Sequence, residues 1–494
     1  MAGTGGGASS LTPTQGFDGL NAYQQRSANG GNQFDVEPPD EGVAVGNGKV
    51  VNVVNCVIRV YDTSGTPLTD VVDLNTFLGY PAQFNRTTGD QGPFVTDPSV
   101  YFDQPTQRWF MDALTFEVDP ATGNFTGRNH LDLAVSQTAD PTGSWNIYRL
   151  PVQDDGTQGT PNHGDANYSG PFFGDFPHIG ADRNGIYLTT NEFQLFGSGN
   201  FRGAQVYAFS KAGLEAGSSS VPVVQFDTAA NAAGNPDGLA GFTLIPASTP
   251  DAAYAGGQGG TEYLLSTTNV YQGADGMSGN LVEIWALANT KSLDSGSPNL
   301  TLQSSGITVN TFSIPPAADQ KAGDYPLGES VGEPEAALES IDPRMTQVTY
   351  ANGKLWGAID TAVTVGGATK DGIDWYVINP NVNGHGVSGS IINQGTLALA
   401  GNNLIFPAIG VTPSGKGVIG FSVTGRDYYP SAGYATLDAK SGAGPVQIAA
   451  MGVGPEDGFT GYNAFGPTTE ARWGDYSATA VDGETVWVAS EYIA

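Results

Sequence analysis

One pattern recurs along this chain: a polar or acidic opening, an alternating apolar run, a tight turn, and a second apolar run that closes on a polar residue. Its clearest form is GDFPHIGADRNGIYLTTNEF at residues 174–193. Further copies begin at Asp40 (DEGVAVGNGKVVNVVN), Thr96 (TDPSVYFDQPTQRWFMDAL), Asp342 (DPRMTQVTYANGKLWGAIDTA), Asn403 (NLIFPAIGVTPSGKGVIGFSV) and Gly474 (GDYSATAVDGETVWVASEY), with a degraded copy from Gly241. Alternation about an Asn-Gly or similar turn is the signature of a β-hairpin. A single hairpin cannot bury its apolar face, so a series of them must pack against one another. The copies are roughly 55 to 95 residues apart, longer than kelch or WD40 repeats, and the excess is assigned to loops.

The expected fold is therefore all-β: a β-propeller of seven blades, with six or eight as alternatives, built from four-stranded antiparallel blades around a central channel. In the first copy, Val57–Asp62 and Pro67–Leu74 supply the third and fourth strands; in the second, His130–Gln137 and Trp145–Leu150 do so. Residues 289–340 read as long loop with a helical turn near 334–340. Residues 1–16 are expected to be a disordered N-terminal segment and 17–494 a single propeller domain. The last copy stops at Ala494 after its second strand, so its blade is expected either to be closed by N-terminal strands or to be truncated.

Composition narrows the function. The formal net charge is −30, with only 19 Lys and Arg, which excludes a phosphate-binding surface and so a nucleic-acid partner. Charged residues make up 14% and Gly numbers 70, as suits short strands and polar turns better than amphipathic helices. The single cysteine, Cys56, lies in an apolar run and excludes an internal disulfide. No run of 18 apolar residues exists, so no membrane insertion is expected. Taken together these features fit a secreted, extracellular, monomeric bacterial protein.

At DPTGSW (140–145), DFPHIGAD, TTNEF and RWGDYSATAVD the sequence resembles a family of secreted microbial β-propeller proteins of largely unassigned function, distantly similar to the sialidase-like, Asp-box propellers. The resemblance covers nearly the whole chain from about residue 17 and implies the fold, with the Asp-box-like stretch 138–145 fixing an outer turn. It implies no sialidase activity, because only Arg344 and Arg472 of a three-arginine grip are identifiable.

In a propeller the innermost strand crosses from one face to the other and the second strand returns. Strand openings and second-strand ends therefore meet at one mouth of the channel. That rule gathers Asp40, Asp97, Asp175, Asp342 and Asp475 with Glu192, Asp360 and Glu491, and puts His178, Arg344, Arg472, Asn191 and Tyr492 on the same rim. The turns Asn47-Gly48, Asn184-Gly185 and Asn352-Gly353 fall at the opposite end. Trp109, Tyr187, Trp356 and Trp487 share one second-strand position and are expected to pack between blades.

So many carboxylates admit three roles. They accept backbone N–H groups of the neighbouring blade and pin the repeats together. They hold calcium, with Asp97, Asp342 and Asp360 as the metal candidates. Or they are catalytic: crowded carboxylates cannot all ionise, so one keeps its proton and acts as an acid beside an ionised neighbour, as glycoside hydrolysis requires. The catalytic candidates are Asp175, His178, Glu192, Arg344, Arg472, Asp475, Tyr476 and Glu491, and the substrate-binding candidates His163, Asn191, Tyr168, Phe173 and Tyr492. A lyase would instead use an arginine to neutralise a uronate while His178 or Tyr476 removes the neighbouring proton. The expected function is action on an extracellular polysaccharide by hydrolysis or elimination, without an organic cofactor. Its rival is a non-catalytic carbohydrate- or protein-binding or adhesion propeller with structural calcium. A zinc site is not expected, since no His pair has ligand spacing.

Overall fold

A computed structural model describes residues 13–166, 168–268, 277–468 and 470–494. Residues 1–12, most of the segment expected to be disordered, lie outside that set. The described chain is all-β, with a propeller-like arrangement of four-stranded antiparallel sheets. The first is β1 (Gly42–Gly46), β2 (Lys49–Val54), β3 (Val57–Asp62) and β4 (Val72–Asp73). The second is β5 (Phe94–Asp103), β6 (Arg108–Val118), β7 (Phe125–Ser136) and β8 (Trp145–Pro151). The third is β9 (Phe172–Ala181), β10 (Gly185–Gln194), β11 (Phe201–Ser210) and β12 (Val223–Asp227).

The fourth set is β13 (Ile245–Ser248), β14 (Thr261–Thr267), β15 (Ser278–Ala288) and β16 (Thr301–Ser313). After the two-residue β17 (Ala337–Leu338) comes the fifth: β18 (Val348–Ala351), β19 (Lys354–Val365), β20 (Ala368–Asn383) and β21 (Gly386–Leu397). These two sets fuse into one eight-stranded sheet, because β13 pairs parallel with β18, Ala247 opposite Val348. The sixth comprises β22 (Asn402–Val411), β23 (Lys416–Gly425) and β24 (Ser431–Asp438), with the short β25 (Gly442–Ala443) and β26 (Gln447–Ala450) both on β24. Then β27 (Glu470–Ala471) pairs parallel with β17, and β28 (Ala478–Asp482) with β29 (Thr485–Ala489) forms a two-stranded hairpin.

The innermost strands are neighbours in chain order: β1 beside β5, β5 beside β9, then β13, β18, β22 and β28, and β28 beside β1 again. Between them runs a narrow cavity of about 80 Å³ touched by Val45, Phe102, Ile179, Ser248, Thr349 and Val481. Apolar side chains of facing sheets fill the space between them. Trp109, Tyr187 and Trp356 are completely buried in those layers, as their shared position predicts, while Trp487 is half-buried against Phe17. Phe17 also packs on Tyr61, and Leu20 N–H donates to Asn52 Oδ1 at 2.9 Å, so the N-terminal residues lie across the first sheet and the last hairpin. Among the described residues they add no strand there.

Turn chemistry explains most hairpins. Asn47 and Gly48 have φ of 52° and 71°, and Asn352 and Gly353 50° and 69°, the left-handed pair that a two-residue hairpin needs. Asn184-Gly185 departs from expectation: Gly185 already belongs to β10, and Asp182 makes the turn by accepting from the N–H groups of Asn184 and Gly185, both at 2.7 Å. The 289–340 stretch is also more ordered than its sequence suggests. TLQSSGITVNTFS is the long strand β16, with Ile307, Val309 and Phe312 buried, and the helical turn falls at Pro326–Val331 while 337–338 is β17. Serine and threonine masked its alternation, because they pair across strands as readily as they line loops. Residues 138–145 form the β7–β8 turn: Asp140 Oδ1 accepts from Thr142 N–H at 3.1 Å and Trp145 Nε1 donates to Pro141 O at 3.0 Å.

Candidate functional site

Each innermost strand is preceded or interrupted by one non-glycine residue with a left-handed backbone. These are Asp40 (φ 47°), Asp97 (53°), Phe176 (55°), Thr243 (50°), Ile341 (47°), Phe406 (56°) and Asp475 (60°). Such residues cost on the order of 1–2 kcal/mol apiece unless their surroundings fix them. For four of the seven a side chain of the preceding sheet does so. Asn55 Oδ1 accepts from Asp97 N–H at 2.9 Å, Asp97 Oδ2 from Phe176 N–H at 3.2 Å, Asn191 Oδ1 from Thr243 N–H at 2.8 Å, and Asp360 Oδ2 from Phe406 N–H at 3.1 Å. Asp97 and Asp360, candidates for calcium on sequence grounds, therefore have an oxygen committed to pinning. Asn191 is equally committed: it is 1% exposed, and its Nδ2 donates to Thr243 Oγ1 at 2.7 Å.

The kink turns the opening residues toward one another. Asp40, Asp97, Asp175 and Asp475 lie within electrostatic reach of one another and of Arg472, and Asp175 also of Arg344. Arg344 is gripped by Asp342 through Nε at 2.8 Å and Nη2 at 2.6 Å, and its guanidinium lies 4.8 Å from the Phe176 ring centre and 5.1 Å from that of Phe242. Arg472 bonds Asp475 and reaches Glu339 Oε2 at 2.6 Å. Beneath them, Phe176 stacks on Tyr476 at 4.7 Å, and His178 touches both rings, at 4.6 and 5.1 Å.

Burial sets the protonation of this group. Asp40 is pushed well above the ordinary carboxylate range by burial and then by Asp475 and Asp97. Asp175 rises to about 7 through burial and the charge of Asp97, with Arg344 opposing. Burial, aided by Arg344, lowers His178 to about 3, so its imidazole is neutral. Burial raises the Tyr476 phenol well above its usual range, followed by the nearby aspartates. Asp40 and Asp342 are 2% exposed, His178 8% and Tyr476 5%, whereas Asp97, Asp175 and Asp475 are half-buried and Arg472 is exposed. Solvent therefore meets the cluster at Asp97, Asp175, Asp475 and Arg472.

Six of the sequence-derived residues lie apart from it. Glu192 and His163 bond each other on the third sheet, Nδ1 to Oε1 at 2.8 Å. Glu491 accepts from Gly474 N–H at 3.3 Å and is raised well above its ordinary range by burial and then by Glu41 and Glu456. Tyr492 bonds Asp18. Tyr168 closes a turn by donating its N–H to Asp165 Oδ1 at 3.0 Å. Phe173 belongs to a chain of phenylalanine rings 4.8–5.9 Å apart, Phe125, Phe116, Phe173, Phe193, Phe201 and Phe242, which runs from exposed Phe125 to the ring beside Arg344.

Sequence reasoning missed Asn55, Glu339 and the two phenylalanines under Arg344. Asn55 directly follows β2, much as Asn191 and Asp360 lie near the ends of their second strands, so position alone pointed to it. Glu339 lies in the stretch expected to be a helical turn and carried no signal.

No family model and no curated protein sequence matches the chain. Solved structures with some likeness include a protein of unknown function from Dyadobacter fermentans (10% identity, 80% of this chain and 90% of that one, TM-score 0.38). Others are a Synechocystis apocarotenoid oxygenase mutant (9%, 86% and 76%, TM-score 0.39) and an α-L-arabinofuranosidase from Lactobacillus brevis (9%, 86% and 94%, TM-score 0.31). Likeness at this level assigns the chain neither a family nor an activity.

Proposed function

We propose that the chain is a secreted seven-bladed propeller whose aspartate-lined mouth hydrolyses an extracellular polysaccharide, with Asp175 as the proton donor and Asp475 as the ionised carboxylate. The neighbour order of the innermost strands and the seven left-handed opening residues support a reading of seven blades. The observation that carries the chemistry is a half-buried Asp175 pushed to about 7 within reach of Asp475, which Arg472 holds. Burial raises Asp475 as well, with Arg472 and then Arg344 opposing it, and a carboxyl that keeps its proton beside one that two arginines favour as the anion can divide acid and base roles. Exposed Phe125 and half-buried Phe173, Phe193 and Phe201 offer sugar rings an apolar surface, while Phe116 and Phe242 are buried. Elimination is less favoured, because His178 and Tyr476 lie under Phe176 and the aspartates, out of reach of a substrate proton.

A screen of neutral and uronic-acid polysaccharides tests this, following reducing ends and unsaturated products. Reducing ends without unsaturation are expected, and Asp175→Asn should lower their release by at least about 100-fold, the usual share of a general acid. The second reading is a binding or adhesion propeller. The observation favouring it is that Asp97 and Asp360 pin neighbouring backbones and Asp342 is closed by Arg344. Retention of a glycan without turnover by wild type and Asp175→Asn alike would establish it in place of hydrolysis.

A further inference from the structure

The loop between β8 and β9 folds back so that His163 N–H donates to Asp154 O at 2.9 Å, which sets the two side chains together over β10. There His163 Nδ1 lies 2.8 Å from Glu192 Oε1 and 3.4 Å from Asp154 Oδ2. One donor atom from each of the three residues falls within 4.8 Å of the others. An imidazole nitrogen carries one proton, so it can bond one carboxylate fully, yet two face it. Asp154 and Glu192 are each 1% exposed, the His163 side chain is 9% exposed, and Asp154 Oδ1 has no hydrogen-bond partner. The nearest fixed cation, Arg202, is spent on Asp227 at 3.3 Å. A buried carboxylate oxygen left without a partner is costly.

We propose that Asp154, His163 and Glu192 form a site for one first-row divalent transition-metal ion. Ligand atoms about 2.1 Å from such an ion and at right angles lie about 3 Å apart, close to the spacings found. The surroundings suit a metal as well. Gln225 Nε2 donates to Asp154 Oδ2 at 2.8 Å and Gln205 Nε2 to Glu192 Oε2 at 3.3 Å, while Asp227 Oδ2 stands 3.9 Å from His163 Nε2. Amides that orient ligating carboxylates, and a carboxylate behind the histidine, are the usual outer partners of a bound ion. The nitrogen donor selects Mn²⁺, Co²⁺ or Zn²⁺ over Ca²⁺, which takes oxygen ligands. The ion clamps the loop of residues 152–171 onto β10, away from the aspartate mouth.

The test uses the full chain, stripped with EDTA and titrated calorimetrically with Mn²⁺, Zn²⁺ and Ca²⁺, with melting temperature followed in parallel. One equivalent of Mn²⁺ or Zn²⁺ should bind and raise the melting temperature, with Ca²⁺ far weaker. Glu192→Gln should bind at least about 100-fold more weakly, and Gln225→Leu, which touches no metal and keeps all three ligands, about 10-fold more weakly. No uptake of Mn²⁺ or Zn²⁺ by wild type, equal binding of Ca²⁺, or unchanged affinity in Gln225→Leu where Glu192→Gln does not fold would each overturn the assignment. So would unchanged affinity in a folded Glu192→Gln.

Discussion

Arg344 holds the aspartate mouth together, since Asp342 grips it in the plane and Phe176 and Phe242 flank its faces. Both partners are largely buried, with side chains 15% and 2% exposed. Removing the arginine leaves Asp342 as an unpaired buried charge, so Arg344→Met should destabilise by about 3–5 kcal/mol. The double change with Asp342→Asn should recover much of that loss, read as urea midpoints for the two variants and wild type. At the same scale, the proposed acid Asp175 must be protonated to act, and it loses its proton near pH 7. Turnover should therefore fall as pH rises past about 7, and in Asp175→Asn what activity survives should lack that alkaline fall.

Among the elements, the opening of each innermost strand is a repeated device. A left-handed residue bends the chain, and in four of the seven a side chain of the preceding sheet binds the strained backbone. Asn191→Leu removes the acceptor for Thr243 N–H in a buried setting, which should cost about 2–3 kcal/mol. The loss should appear as a lower melting temperature. This device was partly legible. Asp97 and Asp360 were open to two readings, as acceptors for the next blade's backbone and as calcium ligands, and each has one oxygen on such a backbone N–H. The separation of Glu192 from the mouth was also available in principle: adjacent residues on a strand face opposite sides, so Asn191 turning toward Thr243 sends Glu192 the other way.

For the molecule as a whole, several buried carboxyls hold protons at near-neutral pH. Glu41 is pushed up to about 8 and Asp112 to about 7 by burial, and Glu456 to about 7 by burial and then Glu37. A carboxyl whose folded pKa lies above its unfolded one contributes stability below the unfolded value and loses it as pH rises through the folded value. Stability should therefore be greatest in weak acid and decline between about pH 4 and 8, a trend the net charge of −30 reinforces by self-repulsion. Melting temperatures across pH 4 to 9 check this. Glu41→Gln should flatten the part of the decline near pH 8, because both Glu41 oxygens are buried without partners.

The sequence alone determined the hairpins, their turns at Asn47-Gly48 and Asn352-Gly353, and the buried aromatics of the second strands, because alternation and left-handed turn residues act over a few positions. It could not rank the carboxylates. Asp40 and Asp475 are separated by nearly the whole chain and interact only because β28 lies beside β1. Asp154, His163 and Glu192 meet only because a loop folds back over its own sheet. Tertiary structure decided which charges share a low-dielectric space, and that sharing sets which carboxyl keeps a proton and which cluster calls for a metal.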